Sequence, residues 1–187
     1  MTYFGFLLRF LVIPIIILGL ATYWDRRRGR DLPATLKFIS PWVGILTLAL
    51  VALIYTTPWD NYLVATGVWW YDPNLVTGIR IGWVPIEEYT FFLLQPFMTG
   101  LWLVFLAKRL RVPAPFVARP NVRIGSVVVT GAIWVASVIM LLSGWQPGNY
   151  LSLILSWALL PIMLQLAVGA DILWHYRRLV ALPLISA

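Results

Sequence analysis

The stretch Gly82–Pro96, GWVPIEEYTFFLLQP, sets two adjacent carboxylates, Glu87 and Glu88, at the head of a long apolar run. Pro85 has the fixed φ that suits the first turn of a helix, so both acids are predicted to fall in the first turn of a helix reaching about Ala107. A run of this kind approaches the roughly 20 apolar residues needed to cross a bilayer core. Working outward, the same reading predicts five spans, at about Thr2–Tyr23, Phe38–Tyr55, Tyr89–Ala107, Gly125–Leu142 and Tyr150–Trp174. All are expected to be helices, because a lone strand in lipid leaves its backbone groups unsatisfied. The fold class is therefore all-α: a polytopic transmembrane helix bundle forming a single membrane domain, 1–187. The composition agrees, since 187 residues that are 61% hydrophobic and 11% charged are too apolar for a soluble domain.

The net charge of +7 does not point to a nucleic-acid partner, because of where the charges lie. Arg26, Arg27, Arg28, Arg30 and Lys37 follow the first span. Lys108, Arg109, Arg111, Arg119 and Arg123 separate the third from the fourth. Arg177 and Arg178 follow the fifth. Twelve of the 14 basic residues thus fall on one side of the bundle. That pattern predicts an integral membrane protein with the N-terminus outside and the basic loops cytoplasmic. Arg9 can snorkel outward. The first run does not read as a signal peptide, because its charges follow the apolar stretch. With no cysteine and one histidine, His175, no metal site is expected, and His175 reads as an interfacial residue without chemistry.

The connection on the opposite side is unusual. TTPWDNYLVATGVWWYDPNLVTGIRIGW, Thr56–Trp83, carries Trp59, Tyr62, Trp69, Trp70, Tyr71 and Trp83. Thr57 as N-cap, Pro58 as first helical residue and Asp60 in the first turn predict a short separate helix ended by Gly67. Asp72-Pro73-Asn74 and Gly78 read as turns. An interfacial aromatic belt accounts for some of the rings.

An internal repeat is also present. YFGFLLRFLVIP, Tyr3–Pro14, resembles YLSLILSWALLP, Tyr150–Pro161, with tyrosine and proline at the same separation. Chance similarity between apolar helices is the alternative. Taken as a repeat, it divides the chain into a first three-span unit (1–107), a linking span (124–145) and the start of a truncated second unit (150–187).

Acids in a first turn stabilise a helix N-terminus by about 0.3–1 kcal/mol, and Arg80 offers an ion-pair partner. Three features point further. The acids lie about 100° apart, and Glu88 continues as a stripe through Phe92, Gln95 and Thr99 that suits a bundle interior. Ionisable groups at membrane depth are costly. The aromatic connection ends beside them. An acid in an apolar, ring-lined site suits protonation of an alkene: a carboxylic acid kept neutral by its surroundings donates H⁺, aromatic faces stabilise the carbocation, water is excluded and a carboxylate removes a proton.

TPWDNYL (Thr57–Leu63), the W-x-Y at Trp69–Tyr71 and PIEEYTFFLLQ (Pro85–Gln95) resemble the integral-membrane lycopene cyclase domain found in bacterial, archaeal and fungal carotenoid cyclases. The family's Pro-x-Glu-Glu/Asp motif matches Pro85, Glu87 and Glu88. The resemblance implies acid-initiated, non-redox cyclisation of the ψ-ends of lycopene to ionone rings, an intramolecular lyase or isomerase of carotenoid biosynthesis. It implies lycopene or a related polyene as substrate, with membrane lipid around it. No GxGxxG fingerprint is present, and no cofactor is expected. Family members with two three-span units carry the acidic motif twice. Here it occurs once, which raises a homo-oligomer or a second cyclase subunit as partner.

Glu87 and Glu88 are the predicted proton-transfer residues. Asp60 and Asn61 either orient them or cap a helix. Trp59, Tyr62, Trp69, Trp70, Tyr71, Phe91 and Phe92 are predicted to line the polyene end, and Gln95 to bond between helices. The rival readings are a non-catalytic subunit binding carotenoid or prenyl lipid, and a proton-coupled transporter.

Overall fold

The computed structural model describes residues 1–33, 37, 39–109, 116–177 and 180–181. Phe38, placed at the start of the second span, and Arg111 and Arg178, counted with the basic residues, lie outside them. Among the described residues, five helices are long and apolar enough to cross a membrane: α1 (Tyr3–Arg27), α2 (Pro41–Ala65), α3 (Ile86–Ala107), α4 (Pro120–Leu142) and α5 (Asn149–His175). Much of their apolar surface faces outward, with Leu20, Ile54, Val128 and Leu164 all more than 60% exposed. In water that surface would drive association; in lipid it is the solvated face. The helices fall into two compact units, α1–α3 and α4–α5.

In the first unit, α1 absorbs Pro14 through a π-helical turn, Leu8–Val12, with Ile13 N–H bonding Leu8 five residues back. Such a turn accommodates a proline without ending the helix. In α2 the expected break at Pro58 does not occur. Thr57 is no N-cap: its hydroxyl donates to the Leu53 carbonyl at 2.6 Å, and Asn61 Nδ2 donates to the Thr57 carbonyl at 2.9 Å. Pro58 removes one intrahelical donor, to the Ile54 carbonyl four residues back, and the apolar helix runs through it instead of giving way to a separate one. It ends at Gly67, whose φ of +71° only glycine adopts freely. Gly67 N–H bonds Val64 and Val68 N–H bonds Leu63, the paired closure of a Schellman motif.

The chain then turns at Asp72, whose side chain accepts from Asn74 N–H, and forms a two-stranded hairpin, β1 (Arg80–Ile81) and β2 (Val84–Pro85). Gly82, at φ +66°, opens its two-residue turn, and a Cβ there would run into the Asn61 side chain. Pro85 is the N-cap of α3 instead of a helical residue, and Glu87 and Glu88 occupy the first turn as expected. Leu18, Ile45 and Leu101 form the three-helix seam, where Gly100 lets α3 approach Ile45 of α2. At the opposite end Arg109 clasps Asp25 with two bonds of 2.6 and 2.9 Å, tying the C-termini of α1 and α3.

In the second unit α4 and α5 form a hairpin, with Trp134 Nε1 donating to the Ser156 carbonyl at 2.8 Å. Buried Asp171 accepts from Arg123 Nε at 2.7 Å and Arg119 N–H at 2.8 Å. His175 packs edge-on against Phe116 and Tyr176.

Candidate functional site

Three segments meet at the head of α3. The first turn of α3 supplies Glu87 and Glu88, the C-terminal half of α2 supplies Asp60 and Asn61, and the intervening connection supplies Tyr71 and Thr77. The start of α1 completes the site. Tyr3 O–H donates to Glu88 Oε2, and Tyr3 N–H bonds the Leu75 carbonyl at 2.8 Å, which fixes the helix end against the connection.

Glu87 and Glu88 have different surroundings, as their angular separation on the helix dictates. Glu87 is fully buried, and its Oε1 accepts from Thr77 N–H at 2.6 Å. Its Oε2 is also buried, without a hydrogen-bond partner among the described residues. Glu88 is half-buried, bonded to Tyr3 and within electrostatic reach of Asp60 and Tyr71. Asp60 is 7% exposed and accepts from Tyr71 O–H at 3.0 Å. The second carboxylate beside Glu88 is thus Asp60, with each acid holding a tyrosine hydroxyl. Burial, with the Glu88 and Asp60 carboxylates beside it, holds the Tyr71 phenol above the ordinary tyrosine range, so it serves as a neutral donor.

Asn61 is neither a cap nor a partner of the acids. Its Nδ2 donates to Tyr89 Oη at 2.9 Å and its Oδ1 accepts from Trp83 N–H at 2.8 Å, while Tyr89 O–H bonds the Ile81 carbonyl. Asn61 therefore pins the hairpin onto α2 and α3. Arg80 is exposed in β1, away from both glutamates' bonds. Phe92 is buried with Val84 and Tyr89, and Phe91 and Tyr71 pack on this cluster. Tyr89, Phe92 and Phe91 meet edge-on, with centroids 6.0 and 6.4 Å apart. Trp69 stands edge-on to Tyr71 at 6.3 Å. Trp59 stacks on Tyr62, which is 50% exposed, and Trp70 is 80% exposed. The rings that bond the acids are those of Tyr3 and Tyr71, and Trp70 faces outward. Gln95 is half-buried, on the Glu88–Phe92–Thr99 stripe.

Tyr3 was not among the expected site residues. Its only sequence signal is the tyrosine shared by Tyr3–Pro14 and Tyr150–Pro161. Thr77 carries no signal, because its contribution is a backbone N–H.

Residues 33–106, which hold α2, the connection and α3, match the family model described as lycopene cyclase. A protein of Halobacterium salinarum named lycopene beta-cyclase is 39% identical over 170 residues, 90% of this chain and 65% of the relative. Over this region the chain is similar to the lycopene cyclase domain family. Fungal members share the likeness: the bifunctional lycopene cyclase/phytoene synthase of Podospora anserina is 34% identical over 75% of this chain and 24% of its own length. That of Aspergillus oryzae is 34% identical over 63% of this chain and 20% of its own. The chain thus spans just under two thirds of the archaeal relative. No solved structure matches it. The matched region of the cyclase family contains Asp60, Tyr71, Glu87 and Glu88; Tyr3 lies outside it.

Proposed function

We propose that this chain cyclises the ψ-ends of lycopene to β-ionone rings, with Glu88 as proton donor and Asp60 as the facing carboxylate. The observation that carries the reading is the Tyr3–Glu88 and Asp60–Tyr71 pairing, two acids each held by a phenol beside an aromatic cluster. Similarity to the cyclase family and the relative's name, lycopene beta-cyclase, support the substrate and the ring type.

Glu88 transfers its proton to the terminal alkene, forming a C–H bond and a tertiary carbocation. The neighbouring π-bond attacks that cation and closes a six-membered ring, moving the positive charge into the ring. Loss of an adjacent proton to a carboxylate restores a neutral alkene. One proton enters and one leaves, so the product is an isomer and no redox partner takes part. Tyr3 steadies the Glu88 carboxylate left behind by a charge-assisted hydrogen bond. Tyr71, Phe91 and Phe92 offer π-faces to the cation without a nucleophile that would trap it. Glu87 holds the connection in place through Thr77 N–H and acts as a positioning residue.

The polyene body has a path. Phe6 and Phe10 continue from Tyr3 along α1, with ring centroids 6.1 and 5.1 Å apart, while Thr99 ends the Glu88 stripe on α3. Phe10 and Thr99 both line an apolar groove of about 390 Å³ with Pro14, Ile17, Leu18, Met98 and Trp102. At 1.5 Å per residue the groove lies roughly 10–22 Å below the acids, where a chain held by its tip would run.

On this reading the basic helix ends face the cytoplasm, and α5 is the counterpart of α1, with Tyr150 and Pro161 spaced as Tyr3 and Pro14. A second copy of the chain, or a subunit with its own acidic motif, would then furnish the second site. Expression in a lycopene-accumulating host tests the function. Yellow mono- or bicyclic product is expected from the chain alone or with such a subunit; unchanged lycopene in both cases overturns the proposal.

A further inference from the structure

At the other end of α1–α3, about 30 Å along α3 from Glu88 at 1.5 Å per residue, lies a second groove of about 390 Å³. Its floor is apolar, formed by Ile45, Leu101 and Val104. Its rim carries two cations from different helices, Arg26 of α1 and Lys108 of α3. Thr22 lies between floor and rim, with its Oγ1 buried and without a partner among the described residues. Lys108 Nζ already leans inward, bonding the Thr22 carbonyl at 3.3 Å. Asp31 is the acid at the mouth, and it is neutralised by Lys37 at 2.9 Å. Its carboxyl is held below the usual range, first by that Lys37 bond and further by Lys108 and Arg26, so the field at the mouth is positive.

We infer that this groove binds the phosphate of an anionic phospholipid between Arg26 and Lys108, with Thr22 Oγ1 donating to it and the acyl chains along the Ile45–Leu101–Val104 floor. Two cations converging above an apolar floor at a helix end match a charged headgroup joined to hydrocarbon. A zwitterionic lipid would bring its own cation to a site that already has two. This inference does not depend on the cyclase reading, since no acid of the first site takes part.

The test uses the full chain purified in mixed micelles, with retained lipid read by native mass spectrometry. Phosphatidylglycerol is expected to be retained over phosphatidylcholine, and free glycerol 3-phosphate should not displace it. Arg26→Gln with Lys108→Gln should lower phosphatidylglycerol retention roughly tenfold. Arg28→Gln with Arg30→Gln removes the same charge outside the groove and should have a much smaller effect. Gly19→Leu adds a side chain where a Cβ meets nothing within 4 Å, filling the groove without changing charge, and should also lower retention. Equal losses from the two charge pairs would show diffuse attraction and overturn the site. So would equal retention of phosphatidylcholine, displacement by glycerol 3-phosphate, or full retention by Gly19→Leu.

Discussion

Removing one hydroxyl, in Tyr3→Phe, isolates what the start of α1 contributes to the chemistry. The phenylalanine keeps the ring contact with Phe6 and the main-chain bond to Leu75, so the helix end stays docked. What is lost is the O–H bond to Glu88 Oε2. A hydrogen bond to a charged group contributes about 1.5–3 kcal/mol, and Tyr3 is half-buried, so water can replace part of it. Taking about 1.5–2 kcal/mol, turnover should fall about 10- to 30-fold at 1.36 kcal/mol per tenfold. The assay is ring formation from lycopene in proteoliposomes. The loss should appear in kcat, because the bond steadies the carboxylate left after proton transfer. Tyr62→Phe, which removes a hydroxyl from a half-exposed ring away from the acids, should stay within about twofold. In a Glu88→Asp background the carboxyl is withdrawn by one methylene, and Tyr3→Phe should then cost far less. Wild-type turnover in Tyr3→Phe, or the same fold-loss in both backgrounds, refutes the reasoning.

Arg109→Met leaves the buried Asp25 carboxylate with Arg30, at 4.0 Å, as its remaining ion-pair partner among the described residues, and should destabilise the chain by about 2–3 kcal/mol in detergent unfolding. The partly exposed Arg109 and the remaining Arg30 hold the effect at the low end, and Asp25→Leu with Arg109→Met should lose less than Arg109→Met alone. Gly100→Ala forces a Cβ against the buried Ile45 side chain. It should destabilise by about 1–3 kcal/mol, measured the same way, despite alanine's better helix propensity, and Ile45→Ala should relieve it. Tyr71 is held protonated in the folded chain above the ordinary value of about 10. Its contribution to stability should therefore be complete below about pH 10 and decline above it, as the unfolded state ionises first. Tyr71→Phe should flatten that alkaline decline in unfolding experiments.

The five helices could be read from apolar run length because lipid demands closed backbone bonding, which leaves few alternatives. Span ends were harder. Hydropathy fades at Tyr55, but α2 continues through Pro58 to Ala65. A proline signal alone does not show whether a helix starts at that residue or runs through it. The first-turn position of Glu87 and Glu88 was legible from Pro85. Their division of labour was not, because it depends on which loop N–H and which hydroxyl reach each carboxylate. From sequence Asp60 reads as an orienting residue or a cap, while the structure gives it Tyr71 as partner and Glu88 as neighbour. Tyr3 is separated from Glu88 by 85 residues, and no local pattern reports such a contact. The tryptophans of the connection are numerous, yet Trp70 turns outward, as an interfacial anchor does.

The central claim is that Glu88, and not Glu87, delivers the proton. Ring formation from lycopene in D₂O, with deuterium counted in the product, tests it most directly by comparing Glu88→Gln with Glu87→Gln. The glutamine at position 87 still offers an oxygen to Thr77 N–H, so that variant should form rings carrying one solvent deuterium each, while Glu88→Gln should form none. Deuterated rings from Glu88→Gln at the wild-type rate, or their loss in Glu87→Gln alone, would contradict the account.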